Sequence, residues 1–363
     1  MCDAFSNNGI NVEIVRPFQV NKTSASEIGI NPKTNIKITT LPGVRLLRNY
    51  DFLYSTCLGL YAYLFLRGDN LREVVFYGRS PVVMPLSVIL KLKQRSKYKS
   101  FFPRIFCEVH QSFPGYDYRV MNYLDGIIVI TESLKRHLLE YGISEHKILV
   151  APDGVNIGLY TPYLGKHKYD LRRELGLPLD SKIVMFSGHL YEDRGIETLL
   201  ESLRYLELSV IVVLVGGYNK DIKRIRKYAV KLGIEKRVII VGYIPSTLVP
   251  KYQVSADVLV IPYSNKWKIQ QWSSPLKLFE YMASKVPIVS TDFESLREVL
   301  ENNRNAILVT KDNPPKLAQA VQRVLESREL AERISDNAFA DVQMFTWEKR
   351  AKKILTFIDR LGN

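Results

Sequence analysis

Cysteine is scarce in this sequence. Cys2, Cys57 and Cys107 are the only three among 363 residues, and their spacing fits neither a disulfide framework nor a metal-binding pattern. The opening stretch, "MCDAFSNNGINVEIV", lacks the basic-then-apolar pattern of a secretory signal. These absences exclude a disulfide-stapled secreted domain and favour a reducing compartment, so we expect a cytoplasmic location.

Long hydrophobic runs are also missing. The longest, residues 52–66, is shorter than a bilayer span and contains Ser55, Thr56 and Gly59. A buried helix is therefore predicted there instead of a transmembrane segment. The composition, 46% hydrophobic and 24% charged, is that of a globular protein, and 363 residues are more than one core usually spans. Two domains are expected.

Acidic residues are in short supply. Asp and Glu number 37 against 51 Lys and Arg, which gives a formal net charge of +14. Such an excess favours anionic partners: nucleotides, phosphates, nucleic acid or an acidic membrane surface. The signatures of common nucleic-acid-binding modules are missing, so nucleic acid is not an expected partner.

The C-terminal half alternates apolar runs with amphipathic stretches. Continuous apolar strands separated by helices predict a parallel sheet covered on both faces, and so a doubly wound α/β domain. The predicted strands are 182–190, 208–217, 238–245, 257–264, 286–292 and 305–310.

The N-terminal half repeats this pattern less regularly. Its predicted strands are 11–15, 35–40, 74–79, 104–110, 125–131 and 148–156. We therefore predict an α/β chain of two Rossmann-like domains with a cleft between them. The predicted boundaries are 1–165 for an acceptor-side domain, 166–344 for a nucleotide-sugar-binding domain, and 345–363 for a helix that crosses back to the first domain.

A series of motifs carries a family resemblance. In chain order they include "EVHQ" (108–111), "VAPDGVN" (150–156), "SGHLYEDRGIETLLES" (187–202), "VGYIP" (241–245) and "SSPLKLFEYMAS" (273–284). Their order and spacing resemble the retaining glycosyltransferases of the GT-B fold, family 4. The resemblance implies a hexosyltransferase-type enzyme of polysaccharide biosynthesis that moves a sugar from a nucleotide-diphospho-sugar to a hydroxyl of a glycan or lipid-linked acceptor.

The resemblance also implies where the donor diphosphate binds. Unpaired N–H groups at a helix start suit phosphate, and the "SSPLK" turn opens such a helix. Arg194 stands where the family more often has Lys, with an ion pair to Glu192 or Asp193 as the alternative. His189 replaces the family's usual first Arg. The residues expected at the diphosphate are Gly188, His189, Arg194, Ser274, Leu276 and Lys277.

The resemblance also implies which residues bind the nucleoside. Glu280 matches the family acid that accepts hydrogen bonds from the ribose hydroxyls; the alternative is a solvent-facing Glu stabilised by the helix dipole. Gly216, Gly217 and Ile244 are expected at the nucleobase. An ordinary strand-to-helix turn is the alternative for the two glycines, and a plain core position is the alternative for Ile244.

His110 is the catalytic candidate. It ends the predicted strand "RIFCEVH" and matches the family histidine at a strand end facing the donor sugar. The family mechanism uses front-face departure and attack, with the leaving phosphate helping to deprotonate the acceptor. His110 would donate to a sugar hydroxyl and orient the reacting centre. A structural role is the alternative. Glu108 is assigned either to a buried position near His110 or to the strand edge.

Two departures from the family are expected. The first of the family's paired acids is missing, because Trp272 stands at that position. The chain also begins inside the first helix, so the preceding strand and Gly-rich loop are predicted to be absent. The resemblance implies that no metal or cofactor is needed, and no Asp-x-Asp motif occurs. A catalytically impaired nucleotide-sugar-binding protein and a GT-B nucleotide-sugar epimerase are the alternatives to a transferase.

A basic stretch, residues 91–104, is a candidate membrane surface. It carries six basic residues, no acid and three aromatic residues, which is typical of a segment lying on an anionic bilayer. A solvated helix end and loop is the alternative. The peripheral-membrane prediction rests on Lys91, Lys93, Arg95, Lys97 and Lys99.

Overall fold

The computed structural model describes residues 1–17, 36–41, 75–79, 104–112 and 118–362. The chain divides into two compact units. Unit 1 comprises Met1–Pro152 and Trp347–Asn363, and unit 2 comprises Asp153–Thr346. The predictions for residues 52–66 and for the basic side chains from Lys91 to Lys99 lie outside the described residues.

Strands and α-helices alternate along residues 126–309. The strands are β1 (Val12–Pro17), β2 (Ile36–Leu41), β3 (Val75–Arg79), β4 (Arg104–Val109), β5 (Gly126–Val129), β6 (Ile148–Val150), β7 (Lys182–Ser187), β8 (Val210–Val215), β9 (Val238–Gly242), β10 (Val258–Ile261), β11 (Ile288–Thr291) and β12 (Ile307–Val309). The α-helices are α1 (Cys2–Asn7), α2 (Glu132–Glu140), α3 (Lys168–Leu175), α4 (Ile196–Ser202), α5 (Asn219–Leu232), α6 (Val249–Ser255), α7 (Leu276–Ala283), α8 (Glu294–Arg297), α9 (Pro314–Glu326), α10 (Arg328–Val342) and α11 (Trp347–Arg360).

Unit 1 contains two parallel strand groups. β1 pairs with β2, and β3, β4, β5 and β6 form a four-stranded sheet in that order. The C-terminal helix α11 packs on this second sheet: Ile354, Phe357 and Ile358 are buried, and the Phe357 ring meets Phe106 edge-on at 6.1 Å. Burying each such side chain stabilises the unit by roughly 1.5–3 kcal/mol. This helix therefore belongs to unit 1 although it lies at the far end of the sequence.

Unit 2 is built on one six-stranded parallel sheet. Its order is β12-β11-β10-β7-β8-β9, with Val184 of β7 opposite Val212 on one side and Val258 on the other. Every residue of β8 is buried, which explains its unbroken run of apolar residues. The chain moves outward from β7 in both directions, so the topological switch point lies between β7 and β10. Ligands of doubly wound sheets bind at the carboxyl ends of the strands at this point.

Local sequence sets the ends of the unit 2 helices. Helix α5 buries Ile225 and Ala229 against the sheet and ends at Gly233, whose φ of +70° is the left-handed conformation that glycine adopts freely. Helix α9 begins after Asn313, whose side chain accepts a hydrogen bond from Lys316 N–H. The predicted α/β class with parallel sheets in two domains is confirmed.

An ion pair between the buried Arg172 and the half-buried Asp257 lies at the amino end of the unit 2 sheet. Arg172 Nη2 donates to Asp257 Oδ2 at 2.7 Å, and the same oxygen accepts from Ile183 N–H at 2.7 Å. Because this pair lies at the opposite ends of the strands from the switch point, it holds α3 to the sheet without contributing to a ligand site.

Candidate functional site

The carboxyl ends of β7 and β10 and the start of α7 define a small region of unit 2, which we call the switch-point corner. Ser187 ends β7 and is followed by Gly188, and Ile261 ends β10 two residues before Tyr263. Ser187 N–H donates to the hydroxyl of Tyr281 in α7 at 2.8 Å, which fixes this helix to the end of β7.

Lys277 lies at the centre of the switch-point corner. Its Nζ is 3.7 Å from the centre of the Phe186 ring and 5.3 Å from that of Tyr263. A methyl group on Gly188, whose φ is +128°, would lie 2.8 Å from this nitrogen. The backbone conformation therefore favours glycine here, and a methyl group would also displace the Lys277 ammonium group. Aromatic faces attract a cation and hold the side chain in place.

The charge of Lys277 is poorly compensated within unit 2. Burial lowers the pKa of its ammonium group well below the ordinary value, and the positive charge of Arg194 adds to this effect. The carboxylates of Glu280 and Asp193 oppose the shift without cancelling it. An anion bound beside Nζ would stabilise the charged form.

Arg194 contributes a second cation to the switch-point corner. Its guanidinium carbon lies 5.0 Å from the centre of the Tyr263 ring, the same ring that Lys277 approaches. The next residue is packed tightly, since a methyl group on Gly195 would come within 1.8 Å of the Pro262 carbonyl oxygen. The predicted alternative contact is also present: Arg194 Nε lies 3.5 Å from Asp193 Oδ1. This long contact leaves most of the guanidinium donors for a ligand.

Glu280 lies one helical turn after Lys277. Gln253 Nε2 donates to its Oε2 at 3.3 Å and to Ser187 Oγ at 2.9 Å, while the Tyr160 hydroxyl donates to Gln253 Oε1 at 2.6 Å. These hydrogen bonds orient the Gln253 amide and hence the Glu280 carboxylate. Burial raises the pKa of Glu280, against the hydrogen bond from Gln253 and the charge of Lys277. A carboxylate has about four acceptor positions, so a long bond to Gln253 leaves capacity for a diol.

The other residues predicted at the diphosphate surround the start of α7. Ser274 is buried, and its Oγ accepts from Asp153 N–H at 3.2 Å. Leu276, the first residue of the helix, is exposed. Its backbone N–H and that of Lys277 belong to the first helical turn, where amides lack a partner inside the helix. Such amides bind phosphate oxygens readily.

His189 forms part of an aromatic stack that the sequence did not reveal. Its ring lies 4.9 Å from Tyr191 with an interplanar angle of 10°, and 5.0 Å from Tyr218 with an angle of 22°. All three rings are exposed. The two tyrosine rings lie 6.5 Å from each other, so the three rings form one compact cluster, and Tyr191 and Tyr218 become candidate ligand contacts as well.

Packing accounts for the residues predicted at the nucleobase. A methyl group on Gly216 would lie 2.6 Å from the Gly188 carbonyl oxygen, and one on Gly217 would lie 2.7 Å from the Leu190 side chain. Ile244 is half-buried against the unit 2 core. These three positions have structural roles, and their contact with a base stays a prediction.

Unit 1 contains a separate polar cluster around His110. The ring Nε2 lies 2.5 Å from Glu108 Oε1. Arg350 of α11 donates from Nη2 to the same carboxylate at 3.0 Å, and the Tyr77 hydroxyl donates to its other oxygen. Sequence reasoning found His110 and left Glu108 open, and it missed Arg350 and Tyr77. Besides the "EVHQ" motif, the sequence signal was the spacing of Glu108 and His110, because residues two apart in an extended segment point to the same side.

Metal and membrane features can be stated for the described part of the chain. Within it, no group of three or more His, Cys, Asp or Glu side chains could hold a metal ion. Within the same ranges, no helix is both long and apolar enough to cross a bilayer.

Comparison with known proteins bears on the switch-point corner. Residues 168–341 match the family described as glycosyl transferases group 1, and this match contains Arg194, Lys277 and Glu280. The matched region begins with α3 and ends within α10, so it covers most of unit 2.

Curated relatives of the chain carry glycosyltransferase names. An uncharacterized glycosyltransferase of Methanocaldococcus jannaschii is 28% identical over 231 residues, which are 62% of this chain and 58% of that protein. The D-inositol 3-phosphate glycosyltransferase of Xylanimonas cellulosilytica is 26% identical over 238 residues, 64% of this chain and 56% of that protein. The chain thus spans less than two thirds of the length of these relatives.

Solved structures similar to the chain support the fold of both units. A glycosyltransferase from Rickettsia africae has a TM-score of 0.73 at 16% identity and covers 97% of this chain and 98% of its own. HepE from Anabaena, solved in complex with UDP, has a TM-score of 0.70 at 15% identity, covering 96% and 100%. Such neighbours are GT-B glycosyltransferases, and the chain has their fold.

Proposed function

We propose that this protein is a retaining glycosyltransferase that moves a hexosyl group from a nucleotide-diphospho-sugar to a hydroxyl of a glycan or lipid-linked acceptor. The observation that carries the proposal is the pair of cations beside one ring. Lys277 and Arg194 approach Tyr263 at 5.3 and 5.0 Å in a corner that also holds the first turn of α7. The group 1 domain and the relatives' names support the same reaction class.

The chemistry follows from charge. When the bond between the sugar and the diphosphate breaks, negative charge grows on the departing phosphate oxygen. Cations and backbone amides placed beforehand stabilise that charge without reorganising, which is the usual largest contribution to catalysis. Lys277, Arg194 and the first N–H groups of α7 fill this role in the proposal. The proposed mechanism requires no metal, because cationic side chains of the protein offset the negative charge on the departing phosphate.

The remaining roles follow the family resemblance. Glu280 accepts hydrogen bonds from the ribose diol, as an ionised carboxylate oriented by Gln253 can do. His110 is assigned to a hydroxyl of the donor sugar. The acceptor hydroxyl attacks from the face that the diphosphate leaves, and the leaving phosphate takes the acceptor's proton, so the configuration at the anomeric carbon is retained.

Donor turnover tests this proposal. The full chain is incubated with a panel of nucleotide-diphospho-sugars, with and without glycan or lipid-linked acceptors, and release of the nucleoside diphosphate is measured. We expect at least slow hydrolysis of one donor, faster with an acceptor, and a product whose NMR coupling constant shows a retained anomeric configuration.

A matched pair of variants makes the test specific. Lys277→Met removes the ammonium group, whereas Arg328→Met removes an exposed cation whose partner, Glu332, lies one helical turn away in α10. Only the first should abolish release. Nucleoside diphosphate binding without turnover across the panel would indicate a catalytically impaired binding protein, and an inverted product would contradict the retaining mechanism.

A further inference from the structure

A buried carboxylate lies directly beside the proposed catalytic histidine in unit 1. Glu108 is only 7% exposed, and its Oε1 lies 2.5 Å from His110 Nε2 and 3.0 Å from Arg350 Nη2. The Tyr77 hydroxyl donates to Oε2. Three donors from β3, the end of β4 and α11 thus converge on one carboxylate.

Arg350, like Glu108, is buried and fixed by several hydrogen bonds. Its Nε donates to the backbone oxygens of Ala151 at 3.1 Å and Pro152 at 2.9 Å, and its side chain is 3% exposed. The guanidinium stays charged under all ordinary conditions. Glu108 therefore faces a permanent cation. Burial acts to raise the pKa of Glu108, but the hydrogen bond with His110 and the charge of Arg350 hold it at about 2.

The ionised Glu108 carboxylate determines which ring nitrogen of His110 carries the proton. A carboxylate only accepts, so the nitrogen 2.5 Å from Glu108 Oε1 must be the donor. In a neutral ring that donor takes the single N–H, and the other nitrogen becomes an acceptor. The neutral form of His110 is therefore the Nε2–H tautomer, with Nδ1 unprotonated.

We propose that Glu108 is a positioning residue that fixes the orientation and tautomer of His110, so that Nδ1 accepts a hydrogen bond from a hydroxyl of the donor sugar. This inference rests on the proposed function for the identity of the ligand. It reverses the direction of the bond predicted from the sequence, in which the histidine donates. Arg350 has the supporting role of keeping Glu108 ionised.

A purely structural role for the cluster predicts something different. Replacing a buried ion pair by apolar side chains of similar volume is often neutral for stability. If Glu108 and Arg350 only hold α11 to the sheet, the double variant Glu108→Met with Arg350→Met should fold and turn over the donor normally. If Glu108 positions His110, the same variant should fold but lose the defined tautomer and much of its activity.

The experiment combines a spectroscopic and a kinetic measurement on the full chain. The protein is labelled with ¹⁵N-histidine, and the His110 signals are assigned by their loss in His110→Asn; the sequence has five histidines, so overlap is limited. In the wild type we expect a protonated Nε2 and an unprotonated Nδ1 in the neutral ring. In the double variant we expect the averaged shifts of two exchanging tautomers.

The matched control is a second Arg–carboxylate pair, Arg172 and Asp257, at the amino end of the unit 2 sheet; there Lys168 Nζ also lies 3.5 Å from Asp257 Oδ1. The double variant Arg172→Met with Asp257→Met measures what losing such a pair costs in general. We expect the Glu108–Arg350 variant to lose on the order of tenfold or more in kcat, within the range of a lost orienting contact. The control should change kcat less than threefold, and the dissociation constant for UDP should be unchanged in both.

Two results would overturn the inference: unchanged His110 nitrogen shifts in the Glu108–Arg350 variant, or a loss of kcat equal to that of the control. Should that variant fail to fold, Glu108→Gln replaces it and Asp257→Asn becomes its control, with the same comparison of kcat. If the wild type turns over no donor at all, the proposed function fails, whereas the nitrogen shifts still decide whether Glu108 sets the tautomer.

Discussion

Binding of a nucleoside diphosphate should draw a proton onto Lys277. In the unliganded protein, burial and then the charge of Arg194 lower the pKa of this ammonium group. A diphosphate beside Nζ adds negative charge at short range and so raises the pKa again. Lys277→Met removes the titrating group while keeping an unbranched side chain of similar length in contact with the Phe186 ring.

The size of the effect follows from the distance. One phosphate charge about 4 Å from Nζ at an effective dielectric of about 20 contributes roughly 4 kcal/mol, which corresponds to about three pKa units. At a pH between the free and the bound pKa, nearly one proton is taken up per ligand. The affinity lost in Lys277→Met is that of a charge-assisted hydrogen bond, about 1.5–3 kcal/mol, or roughly ten- to a hundredfold.

Isothermal titration calorimetry in two buffers of different ionisation enthalpy measures this uptake. The titrations run above about pH 8, where a terminal phosphate with a pKa near 6 is fully ionised and contributes no proton. The wild-type heat of binding should differ between buffers, and the Lys277→Met heat should not. Equal proton uptake in the two proteins over the whole pH range in which both stay folded would refute the reasoning.

The lowered pKa of Lys277 also determines how the stability of the folded protein changes with pH. Because the pKa of Lys277 is lower in the folded protein than in the unfolded chain, the unfolded chain binds more protons between the two values. The free energy of unfolding should therefore rise with pH across that window. Urea unfolding of unliganded wild type and Lys277→Met should show a steeper rise in the wild type. A difference that falls with rising pH would contradict the lowered pKa.

Three further predictions concern the switch-point corner. Glu280→Gln should weaken binding of the nucleoside diphosphate released from the accepted donor by about 1–2 kcal/mol but that of its 2′-deoxy analogue by less, because the carboxylate is the stronger acceptor for the ribose diol; equal losses in calorimetry would remove the ribose assignment. Gly195→Ala should destabilise unit 2 by more than Gly233→Ala, since the φ values are +66° and +70° but only the first methyl meets a backbone oxygen; equal urea midpoints would contradict this. Arg194→Met should weaken binding of the same nucleoside diphosphate by roughly tenfold while Arg328→Met stays within about 0.5 kcal/mol, and a similar loss in both would indicate a nonspecific charge effect.

The sequence predicted the architecture well because the strands of unit 2 are buried on both faces. A run such as β8, in which all six residues are apolar and buried, fits the interior of a parallel sheet and little else once helices flank it. Gly188, Arg194 and Lys277 lie in motifs that resemble those of a known family. This resemblance predicted the switch-point corner from the sequence. Their distances and the shared Tyr263 ring came from the structure alone.

The polar cluster of unit 1 shows why other features were missed. Arg350 lies 242 positions after Glu108 in the chain, and periodicity carries no information over that separation. The cluster of the His189, Tyr191 and Tyr218 rings likewise depends on how two loops meet. Local sequence patterns predict helices and strands and which of their faces are buried. Side chains that meet only through tertiary packing can be identified only from the folded structure.

A crystal structure of the protein with a bound nucleoside diphosphate tests the central claim most directly. The account predicts diphosphate oxygens within hydrogen-bond distance of Lys277 Nζ and of the first N–H groups of α7, with the ribose hydroxyls on Glu280. A diphosphate bound elsewhere on the molecule, with Lys277 and Glu280 not in contact with the ligand, would contradict it.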